Sequence, residues 1–361
     1  MRDALKERKL DGLLITHPGD LAYLSDFTGD DSVGLLTQSD FYLVTDFRYK
    51  EQAQIEAPWL KVVIRQKSMA EALAKTIRAS KAAKVGFEAN FTTYGQVHAW
   101  ESAIKELTKK RAGSRVKLAH LDDMMVNIRK FKDLVEMEQI RKAIEVAQDA
   151  YLAVRKRIMP GQTENYLAGL LGFEMRCRGA SGSSFPVIVA AGANSSLPHY
   201  RPGEVAVESN QPLLFDWGAI YQGYCSDLTR TLLIGQVSPK IRRIYEVVLE
   251  AQLAAIKFLR PGVTTMQADR TARDVIDKAG FKHEFGHGLG HGIGRDIHEL
   301  PAMRKTAPED TLTPGMVVTV EPGIYLPGLG GVRIEDDVLI TPGGCEVLSN
   351  LDKSYEGNRI E

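Results

Sequence analysis

The sequence predicts an α/β (α+β) protein with a small N-terminal α/β domain and a larger C-terminal domain that contains an internal duplication. Three observations support this prediction. The chain has 361 residues, which is long for one hydrophobic core. In the first 125 residues, apolar strand-like stretches alternate with helical patterns. Further along, a short motif recurs after an interval of 101 residues.

The composition is that of an ordinary globular protein, with 44% hydrophobic and 25% charged residues. Because 46 basic residues balance 46 acidic ones, we expect neither nucleic acid nor an anionic membrane as a general partner. The N-terminus has no apolar signal-peptide core, and no apolar run reaches membrane-spanning length. Three scattered cysteines predict neither a disulfide framework nor a cysteine zinc site. We therefore expect a cytoplasmic protein.

The N-terminal domain is predicted to span residues 1–125, and the C-terminal domain residues 126–361. A charged helix from Arg2 to Leu10 should precede the strand-like segment GLLIT, and VGLLT, FYLVTDFRY and KVGFEAN should form further strands. A helix is expected from Tyr94 to Leu107. The basic stretch KELTKKRAGSRVKL near the end of this domain is expected to be a solvated surface.

The C-terminal domain shows two long helical patterns that end alike. The first runs roughly from 134 to 158 and the second from 239 to 259, where Ser238 is a good N-cap before a proline. Pro160-Gly161-Gln162-Thr163 resembles Pro261-Gly262-Val263-Thr264, and Gly179 and Gly280 repeat the same spacing. Each copy is followed by strands that carry two acids. We infer two facing halves with a site at their junction.

The first pair of acids, Asp216 and Asp227, lies in PLLFDWGAIYQGYCSDLTRTLLIG, a segment typical of a β-hairpin. If the turn is centred between Tyr221 and Gln222, the two acids lie opposite each other, with Cβ atoms ~5 Å apart. Carboxylates that close repel unless a cation lies between them or they share a proton. The alternative is a pair of loop-end acids facing water, but the neighbouring apolar run and Trp217 favour burial.

The second pair, Glu321 and Glu335, lies in MVVTVEPGIYLPGLGGVRIEDDVLIT. Glu321 ends a β-branched strand, and Glu335 lies in another strand with Arg333 on the same face. A glutamate inside a valine-rich strand is costly unless it is paired or coordinates a metal. A surface Arg333–Glu335 ion pair is the alternative, which the neighbouring Asp336 and Asp337 leave open.

Four of the eight histidines fall within the glycine-rich segment HEFGHGLGHGIGRDIHE, at His283, His287, His291 and His298. Its first five residues match the helical zinc-protease pattern H-E-x-x-H. That pattern requires a helix, and the glycines here make a helix improbable. The glycines also fail the dinucleotide fingerprint, because no strand–GxGxxG–helix unit is visible.

Taken together, these segments resemble the pita-bread metallopeptidase family (M24), which includes methionine aminopeptidase, aminopeptidase P and prolidase. The resemblance covers roughly Lys130 to Ile340 and rests on LFDWG, YCSDLTRT, GHGIG, VEPGIY and VRIEDD. The N-terminal region, with TDFRY, resembles the small creatinase-like domain of the X-Pro branch. The resemblance implies hydrolysis of the bond between an N-terminal residue and proline.

The resemblance also assigns metal ligands. These are Asp216, Asp227, His291, Glu321 and Glu335. Two divalent ions bring a charge of +4 against −4 from the carboxylates, and the oxygen-rich set suits Mn²⁺ best, with Co²⁺ or Zn²⁺ as alternatives. The resemblance further implies that a hydroxide between the two ions attacks the carbonyl before proline. Glu321 would shuttle the proton, and His298 and His199 would stabilise the tetrahedral intermediate.

Substrate contacts are predicted from weaker signals. His287 and Tyr325 would lie near the substrate, although packing in the core explains them equally well, and Arg333 would orient the acids. Phe185, Tyr200 and Tyr325 would form a compact proline pocket. A strict Xaa-Pro dipeptidase needs a cation for the free carboxylate, for which Arg304 is a candidate, whereas an aminopeptidase P needs open space there.

Three other functions remain as alternatives. An H-E-x-x-H protease would bind metal through His283, a creatinase-like enzyme would hydrolyse a small guanidino compound, and a catalytically dead binding module would have lost metal ligands. The complete set of five ligands argues against the last two. The resemblance also suggests a homodimer in which the small domain helps to close the partner's site.

Overall fold

The computed structural model describes residues 1–108 and 116–361. The chain divides into two compact units, Met1–Met125 and Val126–Glu361. The predicted fold class is confirmed, since both units mix helices with β-sheets. The central part of the basic stretch, residues 109–115, lies outside the described residues, and so does the prediction that it is a solvated surface.

The first unit is built on a six-stranded mixed sheet. Its strands are β1 Gly12–Ile15, β2 Val33–Thr37, β3 Phe41–Thr45, β4 Lys61–Ile64, β5 Lys84–Glu88 and β6 Lys117–Leu121. Their order across the sheet is β4-β3-β2-β1-β5-β6. Its helices are α1 Arg2–Glu7, α2 Pro18–Ser25, α3 Lys50–Glu56, α4 Met69–Ser80 and α5 Tyr94–Thr108, and α6 Met124–Arg129 leads into the second unit. Each predicted strand segment contains a strand, but β3 ends at Thr45, because the Asp46 side chain accepts from the Arg48 N–H and begins a short turn of helix over Phe47–Tyr49. The first helix ends at Glu7, before the predicted Leu10, because Lys9 adopts a left-handed conformation (φ 53°).

Four long helices and fourteen strands make up the described second unit. The helices are α7 Leu134–Arg155, α8 Glu164–Cys177, α9 Pro239–Phe258 and α10 Thr265–Lys278. The strands of the first half are β7 Gly182–Ser183, β8 Ile188–Ala191, β9 Gln211–Trp217, β10 Ala219–Tyr221, β11 Tyr224–Cys225 and β12 Leu228–Ile234. Those that follow are β13 Gly290–Gly292, β14 Glu299–Met303, β15 Val317–Val320, β16 Gly323–Leu326, β17 Gly330–Arg333, β18 Asp336–Thr341, β19 Gly344–Val347 and β20 Arg359–Ile360.

The sequence repeat has a structural counterpart. Gly161 and Gly262 take nearly the same positive φ, 88° and 86°. The next threonine in each copy caps the following helix, Thr163 for α8 and Thr264 for α10. Each threonine also forms an isolated bridge to a later segment of its own half, Thr163 with Ala206 and Thr264 with Thr311. The two halves therefore begin with the same helix–turn–helix unit.

Each half supports its sheet with its own pair of helices. In the first half, α7 and α8 bury an apolar cluster against β8, β9 and β12, in which Tyr151 stacks on Trp217 at 4.4 Å. In the second half, α9 and α10 cover the cluster that includes Val318, Val320 and Val338. The sheets of the two halves are the four-stranded β20-β12-β9-β8 and the five-stranded β14-β13-β15-β18-β19. Such burial of apolar surface is the main stabilising contribution to both halves.

The hairpin that carries the first acids has a different register from the one considered above. Asp216 lies opposite Thr229, not opposite Asp227. Gln222 and Gly223 both have positive φ, 48° and 79°, as in a two-residue type I′ turn. The turn is therefore centred between these two residues, which moves the cross-strand neighbour by two positions.

Among the described residues, the structure has no helix that combines the length and apolar character needed to traverse a lipid bilayer.

Candidate metal centre

The five predicted ligands come from both halves and meet where the halves join. Asp216 lies on β9 and Asp227 follows β11, while His291 lies on β13 and Glu321 follows β15. Glu335 lies between β17 and β18 and forms an isolated bridge with Thr229 of β12, so a residue of the second half pairs directly with the first. The duplication thus brings side chains distant in sequence to one place.

The carboxylates lie close enough to share a cation. One oxygen from each of Asp216, Asp227 and Glu335 lies within 4.8 Å of the others. The His291 Nε2 atom is 3.5 Å from Asp227 Oδ2 and 3.6 Å from Glu321 Oε1. All five side chains therefore form one connected group.

Burial makes this group electrostatically unfavourable without positive charge. Burial and the neighbouring carboxylates raise the pKa of Asp227 and of Glu335 well above the ordinary range. Burial also raises the pKa of Glu321 to about 8 and lowers the pKa of His291 to about 4. Each shift opposes the charged form of its group, so the cluster holds its ligands in ionised form only if cations neutralise them.

Two details show that the donor set fits divalent metal ions. The Asp216 Oδ1 atom is buried and has no hydrogen-bond partner, so it has a free acceptor position. The Nδ1–H of His291 donates to the Gly292 carbonyl at 3.0 Å, which leaves the Nε2 lone pair facing the carboxylates. Four carboxylates and one imidazole are a donor set that Mn²⁺, Co²⁺ and Zn²⁺ all accept.

Arg333 connects the acids to the rest of the site. Its guanidinium donates to Asp216 Oδ2 through Nη2 and to Thr229 Oγ1 through Nε at 3.1 Å. Thr229 in turn donates to Glu335 Oε2 at 2.6 Å. Arg333 also donates through Nη1 to the Tyr325 hydroxyl at 2.8 Å. It therefore orients two of the acids and supplies one positive charge to a strongly anionic cluster.

His287 lies beside this network. Its Nδ1–H donates to the Gly288 carbonyl at 2.8 Å, and its Nε2 is 2.8 Å from the Tyr325 hydroxyl. Burial lowers the pKa of His287 to about 3, so the ring is neutral and Nε2 accepts a hydrogen bond from the Tyr325 hydroxyl. His287 and Tyr325 thus belong to the hydrogen-bonded wall of the site, with His287 Nδ1 4.0 Å from Glu321 Oε2.

The two histidines predicted to stabilise the intermediate reach the same region from different segments. The His298 ring packs on His291 with centroids 4.3 Å apart, and its pKa is lowered by partial burial and by His199. His199 also lies near enough to lower the pKa of Asp216 and of His287, alongside larger effects of burial. Both histidines are exposed and both interact electrostatically with Asp216, so they mark an accessible face of the acid cluster.

The structure places the remaining predicted substrate residues in three different surroundings. Tyr200 bonds to Glu164 through its hydroxyl at 2.8 Å and packs near Ile188 and Leu214, contacts that the proposed pocket did not anticipate. Phe185 is half-buried in the loop between β7 and β8. Arg304 is exposed just after β14 and contributes to the lowered pKa of His298, so it remains a candidate for binding a substrate carboxylate.

The H-E-x-x-H pattern does not form a helix. Residues 282–284 form a turn, and the strand β13 begins soon afterwards. His283 is exposed, whereas His287 is held by Tyr325 and Gly288. This segment therefore lacks the helical geometry that the zinc-protease pattern requires, as the glycines predicted.

Three buried acids that support the site were not singled out from the sequence. Glu164 bonds to the loop that carries His199. Asp269 pairs with Arg273, which donates to the His287 carbonyl, and Glu299 pairs with Arg129 and Lys132 beside His298. In the sequence, Glu164 looks like an ordinary acid of a helix first turn and Asp269 like an ordinary polar residue one turn into a helix, and only their helical phase toward the apolar face signalled burial.

A buried cluster of carboxylates, with an imidazole that directs a free lone pair at it, is the site of a metal-dependent enzyme. Comparison with known proteins identifies which kind. Residues 138–342 match metallopeptidase family M24, and residues 1–121 match the creatinase/prolidase N-terminal domain. The chain therefore belongs to metallopeptidase family M24.

Relatives span nearly the whole chain. A Bacillus subtilis protein described as an uncharacterized peptidase is 36% identical, and the match covers 98% of this chain and 97% of that one. The structure of an Xaa-Pro dipeptidase from Bacillus anthracis matches with a TM-score of 0.91 and 38% identity, covering 98% and 96% of the two chains. An X-Pro aminopeptidase structure from Thermotoga maritima matches with a TM-score of 0.87 and 36% identity, covering 96% and 98%.

Proposed function

We propose that this protein hydrolyses the peptide bond between an N-terminal residue and proline, using two divalent metal ions held by Asp216, Asp227, His291, Glu321 and Glu335. The observation that carries the proposal is the connected group formed by these five side chains. The proline preference is supported by the full-length similarity to an Xaa-Pro dipeptidase and an X-Pro aminopeptidase. When bound, the ions would supply a water molecule acidified for attack at neutral pH.

The protein's own residues then have distinct tasks. The Glu321 carboxylate faces His291 and lies near His287, where it can accept a proton and pass it to the leaving nitrogen. His298 and His199 border the accessible face of the acids, where they can donate hydrogen bonds to the oxygen that becomes negative in the transition state. Arg333 holds Asp216 in place and links it to Tyr325.

The test of this proposal is Glu321→Gln in protein of measured metal content. We expect loss of X-Pro hydrolysis, because the amide cannot accept a proton. The matched control is Glu284→Gln, which alters the glutamate that an H-E-x-x-H protease would use as its base. Wild-type turnover by Glu321→Gln would contradict the proton-shuttle role, and loss of activity in Glu284→Gln alone would favour the H-E-x-x-H alternative.

Two modes of substrate selection differ in one requirement. A strict dipeptidase must bind the free carboxylate of Xaa-Pro, for which the exposed Arg304 is the candidate, whereas an aminopeptidase P must leave room for a longer chain. Kinetics on Xaa-Pro and on Xaa-Pro-Xaa-Xaa distinguish them, because equal kcat/KM on the longer peptide excludes a strict dipeptidase. Arg304→Ala should raise KM for the dipeptide alone if this residue binds the carboxylate.

Three further properties belong to this proposal. We propose Mn²⁺ as the preferred ion, with Co²⁺ or Zn²⁺ as alternatives, a homodimer as the assembly and the cytoplasm as the location. Metal analysis, light scattering and cell fractionation test these three properties separately. Assays with creatine and X-Pro dipeptides side by side test the creatinase-like alternative.

A further inference from the structure

Glu164 is a fully buried carboxylate that accepts four hydrogen bonds from one loop. The residue is 0% exposed and stands first in α8. Its oxygens accept from the Ala191 N–H at 2.7 Å, the Asn194 amide at 2.9 Å, the Tyr200 hydroxyl at 2.8 Å and the Gly203 N–H at 3.1 Å. Hydrogen bonds to an ionised acceptor are stronger than those between neutral groups, so Glu164 holds this loop at both ends.

The loop held by Glu164 carries His199. It connects β8 to β9 and also contacts the second half, where Ser195 Oγ accepts from the Gly331 N–H at 2.8 Å. Close to His199, the Pro198 carbonyl accepts from Arg333 Nη1 at 3.4 Å. The backbone around His199 is thus held between a carboxylate on one side and β17 on the other.

His199 depends on this support more than the other histidines do. Among the described residues, the structure gives the exposed His199 ring no hydrogen bond of its own. By contrast, the His287 ring has hydrogen bonds at both nitrogens, and the His298 ring packs on His291. The place of the His199 imidazole is therefore set by its backbone, which is fixed through Glu164.

We propose that Glu164 is a positioning residue for His199. This inference rests on the proposed function, because it assigns Glu164 the task of holding His199 where it can donate to the developing oxyanion. The hydrogen-bond partners of Glu164 all belong to β8 and the loop that follows it, so we assign it no direct contact with the reacting atoms. Displacement of a catalytic donor by about 1 Å costs up to ~100-fold in rate, so a small shift of the loop has a large effect on turnover.

Glu164→Gln is the direct test, because glutamine keeps the size but loses the charge. One of its two terminal atoms is then a donor, facing backbone N–H groups that can only donate. The matched control is Glu174→Gln on the same helix, a buried glutamate that pairs with Arg157 and Arg178 instead of the loop. Tyr200→Phe removes only one of the four bonds and serves as a milder second variant.

The first measurement is hydrogen exchange on metal-loaded protein. We expect the Ala191 and Gly203 amides to exchange about 10- to 100-fold faster in Glu164→Gln, as loss of a hydrogen bond to a charged group implies. Tyr200→Phe should give a smaller increase, and Glu174→Gln none at these amides. Unchanged exchange in Glu164→Gln and Tyr200→Phe would overturn the proposal. The measurement requires no knowledge of the substrate.

The second measurement is a double-mutant cycle on X-Pro hydrolysis. Glu164→Gln should lower kcat about 10-fold or more with little change in KM and full metal content. In a His199→Ala background, the same substitution should have almost no further effect, whereas Glu174→Gln should behave independently. Additive losses for Glu164→Gln and His199→Ala would contradict positioning through His199. Absence of X-Pro hydrolysis in the wild type would instead contradict the proposed function.

Discussion

The imidazole of His291 directs Nε2 at Asp227 Oδ2 from 3.5 Å, because its Nδ1–H is bonded to the Gly292 carbonyl. A neutral imidazole in this tautomer offers its lone pair to the same volume that the carboxylates face. This relationship joins the two halves of the duplicated domain, since Asp227 belongs to the first half and His291 to the second. It also explains why a cation, more than a proton, suits the space between them.

Asp227→Asn should have opposite effects on stability with and without metal. In chelator-treated protein, asparagine replaces a carboxyl group whose charged form is disfavoured by burial and by repulsion from Glu335, so Tm should rise, by about 3 °C for each kcal/mol relieved. With metal present, Tm should fall relative to wild type. Bound ions stabilise the folded state, and the variant, which lacks one ligand, should bind them less tightly and gain less stability from them. Thermal denaturation under both conditions checks this, and a fall in Tm in both would contradict the account of repulsion.

His298→Ala should slow the chemical step and leave the metal in place. His298 packs on His291 but belongs to the accessible face of the cluster, so its loss should remove a donor to the transition state. We expect kcat to fall by about 10²-fold at nearly constant KM. Steady-state kinetics with metal analysis check this, and retention of both wild-type constants would remove His298 from the site.

Tyr325→Phe should impair both stability and turnover. The variant leaves the buried Arg333 Nη1 and His287 Nε2 without their shared hydroxyl, at a cost of about 1–3 kcal/mol. The matched control is Tyr245→Phe, which removes a hydroxyl on α9 that donates to the Lys353 and Ser354 carbonyls, away from the acid cluster. The control should lower the free energy of unfolding without lowering kcat, and equal effects on kcat would refute a specific role for Tyr325.

Glu299 should make the free energy of unfolding fall as the pH becomes acidic. Burial alone would raise its pKa, but Lys132 and Arg129 outweigh burial and lower the pKa below its ordinary value. A carboxylate with a lowered folded-state pKa stabilises the fold above its unfolded pKa of about 4.3, and this contribution is lost as pH falls through the lowered value.

Glu299→Gln is the variant that measures this contribution. At neutral pH it should cost about 3–5 kcal/mol, because the buried Lys132 and Arg129 both lose the charge of Glu299, although Arg129 keeps its ion pair with Asp296. The difference in unfolding free energy between wild type and variant should shrink below about pH 4. Denaturant titrations across pH check this, and a constant difference down to the acid limit would contradict the assigned ion pairs.

Much of this fold was predictable because its local signals agree with its packing. Ser238 before Pro239 begins α9 as predicted, and the glycines at 161 and 262, which the repeat singled out, adopt nearly the same backbone conformation, as a duplication implies. The hairpin register was not predictable from composition, since a shift in the turn by one position moves Asp227 away from Asp216. Turn conformation, set by Gln222 and Gly223, decided it.

The ligands could be proposed because acids in apolar strands are costly and because the motifs around them resemble those of the M24 family, whereas the supporting residues could not. Glu164 follows a helix N-cap, where an acid is favourable on any surface helix, so its sequence context does not reveal four buried hydrogen bonds. Tyr200 was likewise predicted to line the proline pocket, and its sequence context does not show that its hydroxyl donates to Glu164. Such contacts join segments more than 25 residues apart, and local patterns carry no record of them.

Metal binding by chelator-stripped protein tests the central claim most directly. Titration with Mn²⁺, followed by calorimetry and by X-Pro hydrolysis in the same samples, should show two ions per chain and activity that returns with them. Asp227→Asn and His291→Ala should each reduce the bound metal, whereas His283→Ala should not. Full hydrolysis by the stripped wild type, or unchanged metal content in Asp227→Asn, would contradict the account.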